Sequence, residues 1–178
     1  MIRPILVHPD IRLLQKSQSV IEFGKGLKNL ATDMLDTMKA WKGIGIAAPQ
    51  IGVLKRAIWV TWGNPPHFHD LFMVNPKEHT YYPDNYVDSI EGCLSLPGRV
   101  FKVKRRPNIW VAYQELSGRK RKMNFFTRAA CIYAHEFSHL EGVLLSQDPN
   151  ATELSIEKTK YDMGMLLIGR YRRHSTIT

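Results

Sequence analysis

The segment His135-Glu136-Phe137-Ser138-His139 contains residue types that together can bind a metal ion and move a proton. The preceding residues, 129–134, are apolar on every side, which predicts that the segment lies on a buried helix. Because an α-helix turns once in about 3.6 residues, His135 and His139 project from one face and can bind the same ion. Glu136 can then accept a proton from a nearby water molecule without being a ligand. The alternative is a pair of core histidines held by hydrogen bonds, which would be costly to bury without an ion.

A catalytic metal site of this kind needs a third protein ligand and one open position. Acids follow His139 in the sequence, but none falls in the metzincin spacing, and the second glycine and third histidine of that pattern are missing. Cys131 precedes the histidines at four-residue steps, but eight residues of helix rise about 12 Å. A sulfur–metal bond of about 2.3 Å cannot cover the roughly 9 Å that remain between Cys131 and an ion held by both histidines. We therefore predict that Cys131 is a small core residue.

The other cysteine, Cys93, lies in the segment Glu91-Gly92-Cys93-Leu94-Ser95-Leu96-Pro97. Gly92 permits a close approach of the backbone, and Pro97 is expected to end a strand. Two cysteines are too few for the disulfide scaffold of a secreted protein. A single cysteine is often only a buried residue, so from this segment alone Cys93 is either the third ligand or part of the core.

The elements that position these residues can be predicted from hydrophobic periodicity. Apolar residues recur at three- and four-residue steps over residues 24–41, which predicts an amphipathic helix. The other predicted elements are, in chain order, an extended segment (43–50), two short buried strands (57–61 and 71–74) joined by a loop (62–70), a hairpin (108–116 and 120–126), the histidine-bearing helix (128–140) and a last amphipathic helix (about 154–173). This order predicts an α+β fold, in which small antiparallel or mixed sheets surround a buried central metal-binding helix, with an N-terminal and a C-terminal helix.

Composition and charge limit the class of protein. A chain of 178 residues without an internal repeat fits one domain, residues 1–178. No stretch approaches the roughly 20 apolar residues of a membrane span, and the first residues lack the apolar core of a signal peptide. These features predict a cytoplasmic protein with no membrane or DNA partner.

The net charge of +9 is concentrated in one part of the chain. From Arg99 to Arg128 there are ten Lys or Arg residues and a single acid, Glu115. Such a cluster is either a solvated surface or a contact site for the ribosome or another RNA.

Three segments taken together resemble the peptide deformylase family. They are Gly43-Ile44-Gly45-Ile46-Ala47-Ala48-Pro49-Gln50, Glu91-Gly92-Cys93-Leu94-Ser95 and His135-Glu136-x-x-His139, in the order and separation of that family. The similarity covers nearly the whole chain and includes Asn75-Pro76 and Leu96-Pro97-Gly98.

The resemblance implies hydrolysis of the formyl group from the N-terminal methionine of nascent polypeptides. It implies that Cys93, His135 and His139 bind Fe²⁺, and that Zn²⁺, Ni²⁺ or Co²⁺ can occupy such a site in preparations. Water or hydroxide would fill the fourth position. Glu136 would take the proton of that water and pass it to the leaving amine.

The resemblance also assigns groups that contact the substrate. The side-chain amide of Gln50 and the main-chain N–H of Leu94 match the family's donors to the developing oxyanion. The main chain of Ile44, Gly45 and Gly92 would pair with the peptide as an added strand. The expected partners are the nascent formyl-Met polypeptide and, transiently, the ribosome through the basic surface.

The chain departs from the family pattern close to the histidines. Ser138 stands where the family commonly has Asp before the second metal histidine, and Ala134 where it often has Gln before the first. Arg128 and Cys131 lie on the face expected to border the methionine pocket, where apolar residues are usual. A carboxylate at position 138 would be expected to pair with a cation, and Arg105 is the candidate.

Other functions compete with a deformylase. Arg128 favours a related hydrolase with a different N-acyl or peptide substrate. A basic ribosome- or RNA-binding module with a vestigial site is disfavoured because Gln50, Cys93, Glu136 and both histidines are all present. An HExxH protease is disfavoured because no downstream ligand has the required spacing.

Overall fold

Two α-helices and eight strands form the part of the chain that the computed structural model describes, residues 1–64, 66–79 and 85–155. The helices are α1 (Lys25–Ala40) and α2 (Thr127–Leu140). The strands are, in chain order, β1 (Gly45–Ala47), β2 (Ala57–Asn64), β3 (His67–His79), β4 (Val87–Cys93), β5 (Leu96–Arg105), β6 (Asn108–Gln114), β7 (Lys120–Phe126) and β8 (Ala151–Glu153). The predicted α+β class is confirmed. The helix predicted at about 154–173 lies outside the described residues, except for Leu154 and Ser155, which are not helical.

The strands form two antiparallel sheets. The spatial order is β1-β2-β3-β6-β7 in the five-stranded sheet and β4-β5-β8 in the three-stranded sheet. Helix α2 packs against strands of both sheets, including β1, β2 and β5. The predicted arrangement of small sheets around a central helix is therefore correct, and α2 is placed to join residues from the two sheets in one site.

The β2–β3 region differs from the prediction of two short strands joined by a nine-residue loop. Both strands continue through that segment, with Thr61 paired to Asp70 and Trp62 paired to His69. The prediction treated Gly63 as a loop residue, whereas Gly63 adopts a φ of 105° within the ladder, opposite Phe68. Glycine tolerates this backbone conformation because it has no Cβ.

The segment predicted to be extended, 43–50, is extended only in part. Strand β1 ends at Ala47, and Ala48–Ile51 forms a 3₁₀ turn that begins beside Pro49. The fixed φ of proline suits the first turn of a helix, where its missing N–H has no intrahelical acceptor. The turn folds Gln50 back so that its Oε1 accepts a hydrogen bond from the Ala47 N–H at 2.9 Å.

Pro97 does not end a strand as predicted. It is the second residue of β5, and the chain reverses earlier, at Leu94 and Ser95. Strands β4 and β5, whose bounds and pairing the sequence analysis did not predict, pair from Val87 to Arg105 and bring Cys93 to the tip of this hairpin.

The core that holds α2 is apolar and closely packed. Tyr133 and Leu140 are fully buried in one cluster with Ile58, Val60 and Met73 of the larger sheet. Full burial of a large apolar side chain stabilises a fold by about 1.5–3 kcal/mol, so this cluster fixes the position of the helix. Among the helices of the described residues, none is long and apolar enough to cross a membrane.

Candidate metal centre

Helix α2 presents His135 and His139 from one face, as the four-residue spacing predicts. The two imidazole ring centroids are 5.1 Å apart, and both side chains are buried. Cys93 reaches them from the end of β4, with its Sγ 3.3 Å from Nε2 of His139. One ligand atom from each of Cys93, His135 and His139 lies within 4.8 Å of the others.

This donor set fits one metal ion. Bonds of about 2.3 Å to sulfur and 2.0–2.1 Å to nitrogen place tetrahedral donor atoms about 3.4–3.6 Å apart, close to the observed sulfur–nitrogen distance. Among the described residues, Cys93, His135 and His139 are the histidine, cysteine or acidic side chains that lie close enough together to hold an ion. The three residues supply one thiolate and two imidazoles and leave a fourth position for a non-protein ligand.

Cys131 is not part of this group, but it is also not the core residue that was predicted. It is only partly buried. With Ile44, Arg128 and Ile132 it lines a pocket with an empty volume of about 270 Å³. Partial burial raises the pKa of the Cys131 thiol above its usual value, with a hydrogen bond to Ser89 opposing the shift.

The side chains of the metal group perturb one another strongly. Burial by itself would raise the pKa of Cys93, but the charge of His139 and hydrogen bonds to both imidazoles lower it well below its usual value. Burial would lower the pKa of His135, but hydrogen bonds to Cys93 and Glu91 raise it well above its usual value. The pair therefore favours a thiolate, the form that binds metal.

Glu136 lies beside the metal group. Its Oε2 is buried and accepts no hydrogen bond from the described residues. Burial raises the pKa of Glu136 to about 7, although the charges of His135 and His139 oppose the shift. Its carboxyl packs against the main chain of β1, where a Cβ at Gly45 would lie 2.8 Å from Cδ of Glu136. Glycine at position 45 is therefore what allows the carboxyl of Glu136 to occupy this place. The pKa of Glu136 suits proton exchange near neutral pH.

His135 is held by a buried network of charged groups. Its Nδ1 lies 3.0 Å from Oε2 of Glu91. Arg105 donates to both carboxylate oxygens of Glu91, at 2.9 and 2.7 Å, and also to Asp148 at 3.3 Å. Burial would raise the pKa of Glu91, but the hydrogen bonds from Arg105 and His135 lower it to about 2. Because Nδ1 of His135 is engaged with Glu91, Nε2 is left for the ion.

The sequence analysis did not identify this network, and its suggestion for Arg105 is wrong. Arg105 was expected to be available to a carboxylate at position 138, but its guanidinium is paired with Glu91 and Asp148. The hydroxyl of Ser138 instead donates to the Ala134 carbonyl at 2.9 Å. A signal for Glu91 was present, because alternate residues of a strand share a face and Glu91 precedes Cys93 by two.

Gln50 and Leu94 both lie next to Cys93. Gln50 is 1% exposed, and its Nε2 donates to Ser95 Oγ at 3.2 Å and approaches Cys93 Sγ at 3.7 Å. One amide hydrogen is therefore directed toward the metal group. Leu94 follows Cys93 in the turn between β4 and β5.

The main-chain groups expected to pair with a peptide lie on edge strands. Strand β1 pairs only with β2, and β4 pairs only with β5, so each has one open edge among the described residues. The Ile44 carbonyl accepts from the Thr61 N–H at 2.7 Å and so faces into the sheet. The main-chain groups of Gly45 then point to the open edge, because successive residues of a strand direct these groups to opposite sides. Gly92 pairs with Val100 one residue before the irregularity at Cys93.

Two histidines and a cysteine on a buried helix and a strand end, with an adjacent acid and an amide donor, form an arrangement typical of metal-dependent hydrolases. The family model described as polypeptide deformylase matches residues 2–154. The peptide deformylase of Rickettsia akari (strain Hartford) is 38% identical over 150 residues, which cover 81% of this chain and 85% of that protein. The peptide deformylase of Wolbachia pipientis wMel is 32% identical over 182 residues, 97% of each chain.

A solved structure gives the same result. The class I type b peptide deformylase of Acinetobacter baumannii, with Met-Ala-Ser bound, superimposes with a TM-score of 0.77 at 30% identity. The match covers 83% of this chain and 98% of that one. The chain belongs to the polypeptide deformylase family.

Proposed function

We propose that this chain removes the N-formyl group from the N-terminal methionine of newly made polypeptides and releases formate. The observation that carries the proposal is the convergence of Cys93, His135 and His139 with Glu136, in a chain of this family. The A. baumannii relative was solved with Met-Ala-Ser bound, a peptide that begins with methionine, as the product of such a reaction does.

Cys93, His135 and His139 are the proposed metal ligands, and Fe²⁺ is the proposed native ion. One thiolate and two imidazoles also suit Zn²⁺, Ni²⁺ and Co²⁺, so these ions can replace iron in a preparation. When bound, the ion lowers the pKa of a water ligand and polarises the formyl carbonyl. The buried Glu91–Arg105 pair orients His135 for this task.

Glu136 is the proposed general base and acid. Its carboxyl is buried beside the ligands, and its pKa of about 7 allows it to accept a proton at neutral pH. After attack on the formyl carbon, the same group can return the proton to the departing amine. Amide hydrolysis needs both steps, because without the added proton the nitrogen would have to leave as a strongly basic anion.

Gln50 and Leu94 are the proposed donors to the oxyanion. The Gln50 amide is held by Ala47 and Ser95, so little reorientation is required when negative charge develops. The Leu94 N–H lies in the turn directly after a ligand. Donors fixed in this way stabilise the transition state more than the neutral substrate.

The main chain of Gly45 and Gly92 is the proposed binding surface for the peptide. Ile44, which was also expected to take part, directs its carbonyl to Thr61 within the sheet instead. An added strand along an open edge is recognised by main-chain hydrogen bonds, which tolerate many side chains. This tolerance suits an enzyme that acts on many different nascent chains.

The direct test is formate release from formyl-Met-Ala-Ser, with acetyl-Met-Ala-Ser as the matched substrate and metal analysis of the same sample. We expect formate from the first peptide and no acetate from the second. Acetate release without formate release would favour the second candidate, a hydrolase for another N-acyl group. That candidate is supported by Arg128, an exposed cation that lines the pocket beside the site.

A transient ribosome contact through the basic segment 99–128, and with it a cytoplasmic location, is a further part of the proposal. Ion pairs within the protein neutralise part of this segment. They involve Arg99 with Glu153, Lys102 with Asp88, Arg105 with Glu91, and Arg119 and Arg121 with Glu115. For Lys104, Lys120, Lys122 and Arg128 of this segment no ion pair is seen among the described residues, and these are the proposed contacts to a partner.

A further inference from the structure

The pocket beside the metal group is mainly apolar, but a cation lies at its edge. Ile44, Ile90 and Ile132 form apolar walls around an empty volume of about 270 Å³. Arg128, in the first turn of α2, lines the same pocket and is exposed to solvent. The pocket is therefore suited to an apolar side chain, with a positive charge where the pocket meets the solvent.

The charge of Arg128 is not neutralised within the described part of the chain. Glu91, the acidic residue that lines the same pocket, is already paired with Arg105 and His135. No ion pair or hydrogen bond of the Arg128 side chain is seen among the described residues. Arg128 is therefore available to a negative group that comes close to the edge of the pocket.

Helix geometry sets the order of these groups along α2. Arg128 precedes His135 by seven residues, which corresponds to about 10 Å along the helix axis. Cys131 and Ile132, which also line the pocket, lie between them. Seen from the metal group, Arg128 is therefore at the far side of the pocket.

The proposed pairing of the peptide as an added strand decides which substrate residue can reach Arg128. Side chains of a strand alternate between two faces, so the first and third residues share a face and the second residue points away. Two residues of a strand span about 7 Å. When the first side chain occupies the pocket, the third side chain therefore lies over the edge of the pocket.

We infer that Arg128 gives the site a preference for polypeptides with Asp or Glu as the third residue, by pairing with that carboxylate. The inference rests on the proposed function for the placement of the peptide, with its formyl group at the metal group and its methionine in the pocket. An acid as the first residue would have to leave water for an apolar pocket, which is costly. At the third residue the ion pair forms at the surface, which agrees with the exposure of Arg128.

The test compares formyl-Met-Ala-Asp-amide with formyl-Met-Ala-Asn-amide, which differ by one charge and have no terminal carboxylate. With the metal-loaded full-length chain at low salt, kcat/KM should be about twofold to fivefold higher for the aspartate peptide, the range for an exposed ion pair. The ratio should approach one in about 1 M salt, where the screening length is only about 3 Å.

Variants assign the preference to one side chain. Arg128→Gln should bring the ratio of the two kcat/KM values to about one, whereas Arg128→Lys keeps the charge and should keep part of the preference. Lys28→Gln removes the same charge from an exposed position of α1 and should keep the wild-type ratio. Because each ratio is taken within one variant, a general loss of activity cancels.

A second pair of peptides tests the position of the acid. Formyl-Met-Asp-Ala-amide and formyl-Met-Asn-Ala-amide carry the same change at the second residue, whose side chain points away from the pocket. We expect no dependence on Arg128 for this pair.

Binding of the four peptides to metal-loaded Glu136→Gln, measured by calorimetry, gives a readout that does not require turnover. Tighter binding of formyl-Met-Ala-Asp-amide that is lost with Arg128→Gln supports the inference, and with no formate released by the wild type only the deformylase proposal fails. Three results would overturn the inference: equal kcat/KM and equal binding for the first pair, a preference that persists in Arg128→Gln, or a larger preference at the second residue. Equal and rapid formate release from the first pair leaves the deformylase proposal intact.

Discussion

The two histidines of the HExxH segment have very different surroundings. Nδ1 of His135 meets Glu91 at 3.0 Å, and Glu91 is bound in turn by Arg105. Nδ1 of His139 is buried and has no hydrogen-bond partner within the described residues. The residue beside His139, Ser138, directs its hydroxyl along its own helix to the Ala134 carbonyl.

This difference shows that the two histidines of one motif need not have the same hydrogen-bond partners. A metal-bound histidine usually donates its second ring N–H to a carboxylate, carbonyl or water, which fixes the orientation of the ring. His135 has such a partner in Glu91, which is itself paired with Arg105. His139 is held by packing and by its contact with Cys93. Ser138, which the sequence analysis interpreted as a departure from the family pattern, therefore lies beside the less supported histidine.

The largest effect is expected from removing Cys93, the proposed metal ligand that lies next to both histidines. Cys93→Ala should lose the metal and all activity, because two imidazoles alone do not complete the site. Cys131→Ala is the matched control and should retain one metal per chain, since Cys131 lies outside the ligand group. Metal analysis after dialysis measures both. Retention of metal by Cys93→Ala, with loss from Cys131→Ala, would reverse the assignment.

The next largest effect is expected at Glu136, which touches the site without being a ligand. Glu136→Gln should keep its metal, while turnover of formyl-Met-Ala-Ser falls by about 10²–10⁴-fold, the range for a general acid–base group. Formate release per bound metal is the measurement. Near-normal turnover in the metal-loaded variant would remove Glu136 from the mechanism.

Glu91→Gln tests the supported histidine directly. It leaves Arg105 with a neutral amide and with Asp148, and it weakens the hydrogen bond that orients His135. Loss of such a partner typically costs about 10–100-fold in metal affinity or activity. Competition with a metal chelator measures the affinity. An unchanged affinity would show that the network supports the fold and not the ligand.

The same carboxylate predicts a pH dependence of stability. Folding lowers the pKa of Glu91 from 4.5 to about 2, so the unfolded chain binds this proton more readily. The stability from Glu91 is therefore complete above pH 4.5 and is lost as the pH falls toward about 2. Urea unfolding of metal-free wild type and Glu91→Gln, which separates this effect from metal loss, should show a gap that narrows with acidification. A gap that is constant across this range would contradict the assignment.

The smallest effect is expected at Ser138, beside His139. Ser138→Ala removes a hydroxyl that bonds only within its helix, and such a bond contributes about 0.5–1.5 kcal/mol at most. Metal affinity should therefore change far less than in Glu91→Gln. A loss as large as that of Glu91→Gln would show that Ser138 supports His139 after all, and the contrast between the histidines would not hold.

Several features were accessible from the sequence because they depend on local periodicity. The helix at Lys25–Ala40 and the helix at Thr127–Leu140 follow from the spacing of apolar residues. The hairpin that ends at Phe126 follows from the turn at Gly118. The loop predicted at 62–70 was wrong because strand pairing with a partner can override the weak local preference of glycine.

The sequence by itself determined that His135 and His139 share one helix face and that Cys131 is too far along the helix to join them. Both conclusions depend only on helix geometry. Only the tertiary structure decided that Arg105 pairs with Glu91 instead of position 138, and that Lys77 and Lys122 flank Ala112 across the larger sheet. These are contacts between distant segments, set by the pairing of β4 with β5 and of β6 with β3 and β7. Register between strands depends on the packing of the whole sheet, so no single segment of the chain specifies it.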